Sequence, residues 1–207
     1  MAAMSTAPER APYAVAARRL LRETLFGAAR DELQHRAWSE ITMAEIAAAA
    51  GVSRQTLYKE FGSRDEFAQA FVIHEGERFL DVVEAAVREH LDDPHAAVGA
   101  ALDTFLRTAG EDPLVRMMLS DDGTGGMLPF VTTQGMPVVL WATARLSTVI
   151  KEGWPQAPVE KTQLLAESLV RLAISYITVP TAPSETTAAA ARDLLGPFID
   201  EALGTRD

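Results

Sequence analysis

The chain contains no cysteine. That excludes a disulfide, a thiolate nucleophile and a cysteine-based zinc site, and it fits a reducing compartment. No apolar run approaches the roughly 18 residues that a membrane span requires. Catalytic signatures are missing as well: there is no Gly-x-Ser-x-Gly elbow, no phosphate-binding P-loop and no Rossmann fingerprint. The Gly-Thr-Gly-Gly at 123–126 is not followed by Lys-Ser or Lys-Thr. His90 and His95 flank Leu-Asp-Asp-Pro and are metal-ligand types, but a break between two helices explains that sequence equally well. His74 falls in the middle of an expected helix. No enzyme activity, cofactor or metal is therefore expected. Residues 1–12 lack both a basic start and a continuous apolar stretch, so they read as a disordered arm and not as a signal peptide.

Positive charge is in deficit. The net charge of −10 is unevenly spread. Residues 1–66 hold nine Lys/Arg and nine Asp/Glu, whereas residues 67–207 hold ten against twenty and carry the whole excess. An acidic body discourages indiscriminate association with polyanions. Electrostatic affinity for DNA depends on cations at the contacted phosphates, and less on total charge.

What is present is concentrated in residues 42–61, Thr-Met-Ala-Glu-Ile-Ala-Ala-Ala-Ala-Gly-Val-Ser-Arg-Gln-Thr-Leu-Tyr-Lys-Glu-Phe. Thr42 and Glu45 have capping-box spacing. Met43, Ile46, Ala47 and Ala50 recur at helical period and form one apolar face. Gly51 suits the left-handed residue that ends a helix, Val52 plugs the corner, and Ser53 can cap a second helix. On that helix Leu57 and Phe61 point inward, leaving Arg54, Gln55, Tyr58 and Lys59 outside. This is a helix-turn-helix pattern, which sets its second helix in the major groove of DNA. Arg and Gln reach base edges, and Tyr and Lys contact phosphates. Thr42 can offer a phosphate its hydroxyl and nearby helix N-terminal amides. The bland reading is a helical hairpin with a solvated polar face.

These residues resemble the TetR family of bacterial transcriptional regulators. The match runs over residues 41–67, from Ile-Thr-Met-Ala-Glu through Gly-Val-Ser, Leu-Tyr and Phe to Ser-Arg-Asp-Glu-Phe, and with the preceding helix it covers about 15–70. Glu60 departs from the family pattern, and no DNA contact is assigned to it. Arg64 stands where the family has a lysine, a cation suited to a phosphate. The expected DNA-contacting set is Thr42, Ser53, Arg54, Gln55, Thr56, Tyr58, Lys59 and Arg64. The resemblance implies an all-α protein of about nine helices: a helix-turn-helix domain over 13–66 and a helical ligand-binding and dimerisation domain over 67–207. It also implies a cytoplasmic, nucleoid-associated homodimer that binds an operator in double-stranded DNA and a small ligand.

Periodicity fills in the rest. Helix 1 is expected over about 13–35 with Ala17, Leu21, Leu25 and Ala28 inside; Arg18, Arg19 and Arg22 lie either near DNA or on a solvated face. A second capping box, Ser63 to Glu66, opens a helix running to about His90, a rod of about 40 Å that would carry a ligand signal. Helices follow at about 95–109, 113–120, 137–152, 159–179 and 184–203. The one at 137–152 is apolar nearly all round and so should be buried on most sides, and Gly196-Pro197 should kink the last. Helix 159–179 carries two apolar stripes, one with Leu165, Leu169, Leu172 and Tyr176, the other with Val170, Ala173 and Ile177. Both stripes are intramolecular, or one meets a second subunit; the resemblance puts the dimer seam on the last two helices.

Phe79, Leu102, Phe105, Met117, Met118, Phe130, Met136, Trp141 and Tyr176 are candidates to line a cavity for an elongated hydrophobe such as a fatty acid or acyl ester, because methionine adapts to irregular apolar shapes. Arg145 either binds a ligand carboxylate or pairs with Asp103 or water. The expected function is a ligand-responsive repressor, with activation left open. The rival is a helical lipid-binding or carrier protein with a degenerate helix-turn-helix.

Overall fold

A computed structural model of the chain describes residues 13–120 and 126–204. The expected arm and most of the Asp-Asp-Gly-Thr-Gly-Gly run lie outside the described residues. Among them there is no strand. Nine α-helices follow in order: α1 (Tyr13–Leu33), α2 (Met43–Ala49), α3 (Arg54–Phe61), α4 (Arg64–Arg88), α5 (Pro94–Glu111), α6 (Pro113–Ser120), α7 (Met136–Gly153), α8 (Val159–Thr178) and α9 (Ser184–Leu203). Short 3-10 turns cover Trp38–Glu40 and Leu128–Phe130.

The first core is aromatic. Phe26 of α1 lies 5.4 Å from Phe61 and 5.7 Å from Phe67, and Phe61 meets Phe67 edge-on at 4.9 Å. Leu25, Ile41, Ile46 and Leu57 complete it and are fully buried. Truncating Phe67 to Ala here would cost about 3–5 kcal/mol. The buried face of α1 is Leu25, Phe26, Ala29 and Leu33, with Leu21 and Ala28 of the expected stripe packed against the same core. Ala17 is exposed, as are all of residues 13–20, because the first two turns of α1 run past the end of the packed core.

This core does not stop at residue 66. Phe67, Ala68, Phe71 and Val72 of α4 belong to it, and so do Leu114 of α6 and Met127 and Phe130 beyond it. A sequence boundary at 66/67 cuts α4 where its side chains still face the three-helix domain.

The second core sits among α4, α5, α7, α8 and α9. Val83, Val87, Val98, Val149, Ile150, Leu165, Leu169 and Ile199 are buried in it. α5 packs against α4 and α9, and α7 packs against α8 and α4. α5 begins as its sequence dictates: the Asp93 side chain accepts from the His95 and Ala96 amides, and Pro94 occupies the first turn, where its missing N–H costs nothing. α7 is less enclosed than its composition suggests, with Leu140 63% exposed and Met136 54% exposed. Pro197 stands inside α9, which continues to Leu203, and leaves the Asp193 carbonyl without its usual helical donor. Leu164 on α8 and Leu194 on α9 are exposed, at 54% and 72%.

Candidate nucleic-acid interface and ligand cavity

The corner between α2 and α3 is built by its termini. Thr42 caps α2: its hydroxyl accepts from the Glu45 amide at 3.2 Å, and the Glu45 carboxylate accepts from the Thr42 amide at 2.7 Å. The hydrogen bonds from the Thr42 side chain and backbone, with a further one from Arg36, hold the Glu45 carboxyl down at about 2. At the other end Gly51 takes φ +70°. Its amide reaches Ala48 O while the Val52 amide reaches Ala47 O, the two bonds that close a helix around a left-handed residue. Ser53 then caps α3 by accepting from the Thr56 amide at 3.0 Å, and the two hydroxyls are 2.8 Å apart.

Those caps fix which side of α3 faces out. Leu57 and Phe61 are buried, whereas Ser53, Arg54, Gln55 and Lys59 are exposed and Thr56 and Tyr58 half-buried. Arg54 lies over the Tyr58 ring with its guanidinium carbon 5.2 Å from the centroid, so the two form one ridge. The hydroxyls of Thr42, Ser53 and Thr56 already serve the caps. A phosphate would meet them together with helix N-terminal amides.

The Arg64 guanidinium donates to the carbonyls of Ile41 and Trp38 and stacks on the Trp38 ring at 4.3 Å. It pins the turn that presents Thr42 and so positions that face. Glu60 is not part of the outer face. Its side chain is 10% exposed and accepts from Arg18 Nε and Arg22 Nη1, each at 2.9 Å. Burial pushes its carboxyl up, and the hydrogen bonds from Arg22 and Arg18 outweigh that and leave it below the ordinary value. Arg22 also covers the Phe61 ring at 4.5 Å. Arg18 and Arg22 therefore lock α1 to α3.

The larger cavity of the body measures about 150 Å³ and lies among α4, α5, α6, α7 and α8. Phe79, Leu102, Phe105, Met118 and Trp141, all anticipated from the sequence, line it. The other five candidates do not. Phe130 is buried in the aromatic core, and Met117 packs against that same core. Met136 is exposed. Tyr176 packs against the Leu102–Leu106–Ala188–Ala191 cluster. Arg145 is held by Asp81 and Glu84, with the Asp81 hydrogen bond raising its pKa further. The partners are two carboxylates one turn apart near the C-terminal end of α4, not Asp103.

Sequence reasoning missed several features of the cavity. Gly76 is one: a Cβ there would sit 2.9 Å from Trp141 Cζ3, so the indole rests directly on the α4 backbone. Glu75 is another, the one ionisable side chain among the cavity-lining residues. Its signal was legible, since it occupies the fourth-residue step between Phe71 and Phe79 on an apolar face. Met118, Val131 and Val138 line the cavity and also pack against the aromatic core.

Comparison with known proteins follows this geometry. The family described as "Bacterial regulatory proteins, tetR family" matches residues 25–71, and "Bacterial Tetracyclin repressor, C-terminal domain" matches 93–197. The HTH-type transcriptional regulator AlkX of Mycobacterium tuberculosis is 34% identical over 192 residues, 93% of this chain and 91% of that protein. Among solved structures, the TetR family repressor AlkX from a Dietzia strain, implicated in biodegradation of n-alkanes, aligns at TM-score 0.75 and 31% identity, covering 88% of this chain and 96% of that one. RolR in complex with resorcinol aligns at TM-score 0.57 and 20% identity, covering 93% and 97%, a likeness of fold alone.

Proposed function

Since this chain belongs to the TetR family of bacterial regulatory proteins, we propose that it is a homodimeric repressor released from its operator by a small hydrophobic ligand. The observation that carries the reading is the apolar cavity walled by α4, whose first turns are part of the core beneath α3. A ligand that fits only one arrangement of these helices shifts the population toward it. In a dimer, two α3 helices about 34–36 Å apart meet successive major grooves, and a change in α4 alters that spacing.

Exposed Leu164 and Leu194 support a seam through α8 and α9, because a twofold dimer needs a self-complementary apolar patch. The nearly all-apolar lining favours an alkyl chain, fatty-acyl included, and the Dietzia relative's link to n-alkanes agrees with that class. Acting at an operator puts the protein in the cytoplasm, on the nucleoid. The carrier alternative draws on the acidic total and on Glu60, and Glu60 is turned from the outer face by Arg18 and Arg22.

Fluorescence anisotropy with DNA from upstream of the protein's own gene tests this. Saturable, salt-sensitive binding that falls on addition of 1-octanol or octanoate is expected, together with thermal stabilisation by the same compounds. Stabilisation by small polar compounds and never by alkyl chains would overturn the ligand class. Absence of any sequence preference would overturn the regulator.

A further inference from the structure

The apolar cavity has one charged wall. Glu75 is 7% exposed, lines the cavity and is held in a two-point grip by Arg30 of α1, whose Nε is 3.1 Å from one carboxylate oxygen while Nη2 binds the other. Arg30 does not line the cavity. It stands one residue after Ala29, which is fully buried in the aromatic core under α3. The pair therefore joins a cavity wall directly to the DNA-reading domain across 45 residues of sequence.

A buried carboxylate is costly without its partner, and a bidentate guanidinium is the partner that satisfies it best. Both oxygens of Glu75 are engaged, yet a carboxylate has about four acceptor sites and so can take one more donor from the cavity side. Anything polar entering this apolar space finds its hydrogen-bonding capacity there. A hydroxyl donates to Glu75, and a carboxylic acid does the same through its O–H; each displaces a donor of Arg30. Either one competes for the same pair.

We infer that Arg30–Glu75 is the latch through which the cavity governs DNA binding, and that the effective ligand is an alkyl chain with a polar end that competes for this pair. The inference rests on the ligand-released repressor proposed above. A chain with no polar end fills the cavity and leaves the latch closed. Arg78, which bonds Asp112 at 2.7 Å, flanks Arg30, and Asp112 caps α6 through the Leu114 and Val115 amides. A loosened latch thus reaches both elements that share the two cores.

The test compares operator affinity with and without n-octane, 1-octanol and octanoate for the wild type, Arg30→Gln, Arg30→Lys and Glu75→Gln. Wild-type protein should lose operator affinity by about 5–150-fold with 1-octanol or octanoate, the usual span of coupling between sites. With n-octane the loss should stay within about twofold, although thermal shift still reports binding. Arg30→Gln should bind 1-octanol at least as tightly as the wild type does, since the competing donor on Glu75 is gone, yet change operator affinity by about twofold or less on binding it. Arg30→Lys should restore part of the response. A full response in Arg30→Gln, or release by n-octane equal to that by 1-octanol, overturns the latch. If Arg30→Gln or Glu75→Gln fails to fold, the double variant Arg30→Gln/Glu75→Gln, which buries no lone charge, decides in its place: a full response to 1-octanol there overturns the latch. A wild type that ignores every probe overturns the ligand-released repressor itself, which is a different outcome.

Discussion

Arg18 Nε lies 2.9 Å from both carboxylate oxygens of Glu60, fastening α1 to the helix that reads DNA. The contact turns an acidic residue on that helix inward, away from the phosphates. Glu60→Gln should destabilise the protein by about 1–2 kcal/mol, a sum kept modest because Arg18 is largely exposed. Chemical denaturation with a slope unchanged from the wild type would measure it. A loss under 0.3 kcal/mol would mean that the pair does not hold the helices together.

Arg54 and Lys59 stand on the same exposed face in different chemical roles. Arg54→Ala should relax discrimination at one base pair by about 1–3 kcal/mol while leaving non-specific affinity nearly intact. Lys59→Ala should weaken binding to all sequences and reduce the salt slope by about one unit. Titrations over a range of salt, with operator and scrambled duplexes, separate the two.

Leu194 is 72% exposed on α9 and Leu164 is 54% exposed on α8. In a twofold dimer each substitution appears twice at the seam. Leu194→Glu should raise the dimer dissociation constant at least tenfold, read by analytical ultracentrifugation, and operator affinity should fall with it. A variant that stays dimeric at the wild-type concentration puts the seam elsewhere.

Acid sensitivity should track Glu45. Its carboxyl titrates at about 2 in the folded chain against an ordinary 4.5, so the unfolded chain takes up the proton first as pH falls. The stability from this capping box is complete above about pH 4.5 and is lost progressively toward pH 2. Glu45→Gln should have a shallower decline of Tm across that window than the wild type. Parallel curves would assign the acid limb to other carboxylates.

Gly76→Ala adds a methyl group 2.9 Å from an edge atom of Trp141. Helix propensity favours the change by about 1 kcal/mol, and moving the indole opposes it by about 1–3 kcal/mol. The displaced ring narrows the cavity, so affinity for 1-octanol should fall about tenfold with operator affinity in the absence of ligand unchanged. Calorimetric titration measures the first and anisotropy the second.

The helix-turn-helix was readable almost to the residue because its instructions are local: two caps, one left-handed glycine and a four-residue apolar step. The same kind of signal marked Asp92-Asp93-Pro94 as the break before α5, though Asp93 as its cap was not read. Long-range choices were not local and were misjudged. Leu21, Leu25 and Ala28 of the expected α1 stripe do meet the aromatic core, but where that core ends depends on where Phe61 and Phe67 come to rest, and the pattern at Ala17 could not reveal it. Arg64 was read only by its type, as a cation suited to a phosphate; its bonds to the carbonyls of Trp38 and Ile41, more than twenty residues earlier in sequence, had no local signal. Half of the cavity candidates were ordinary core or surface, since bulk and flexibility identify side chains that fill space, not the space left over.

Helix α6 is only eight residues long, and it serves two masters. Leu114 seals the aromatic core while Val115 and Leu119 face the cavity. Altering ligand preference by substitution in this segment therefore also perturbs the domain that grips the operator. Descendants of this protein are freer to change their ligand through α5 and α8, and α6 should be the slowest wall to diverge.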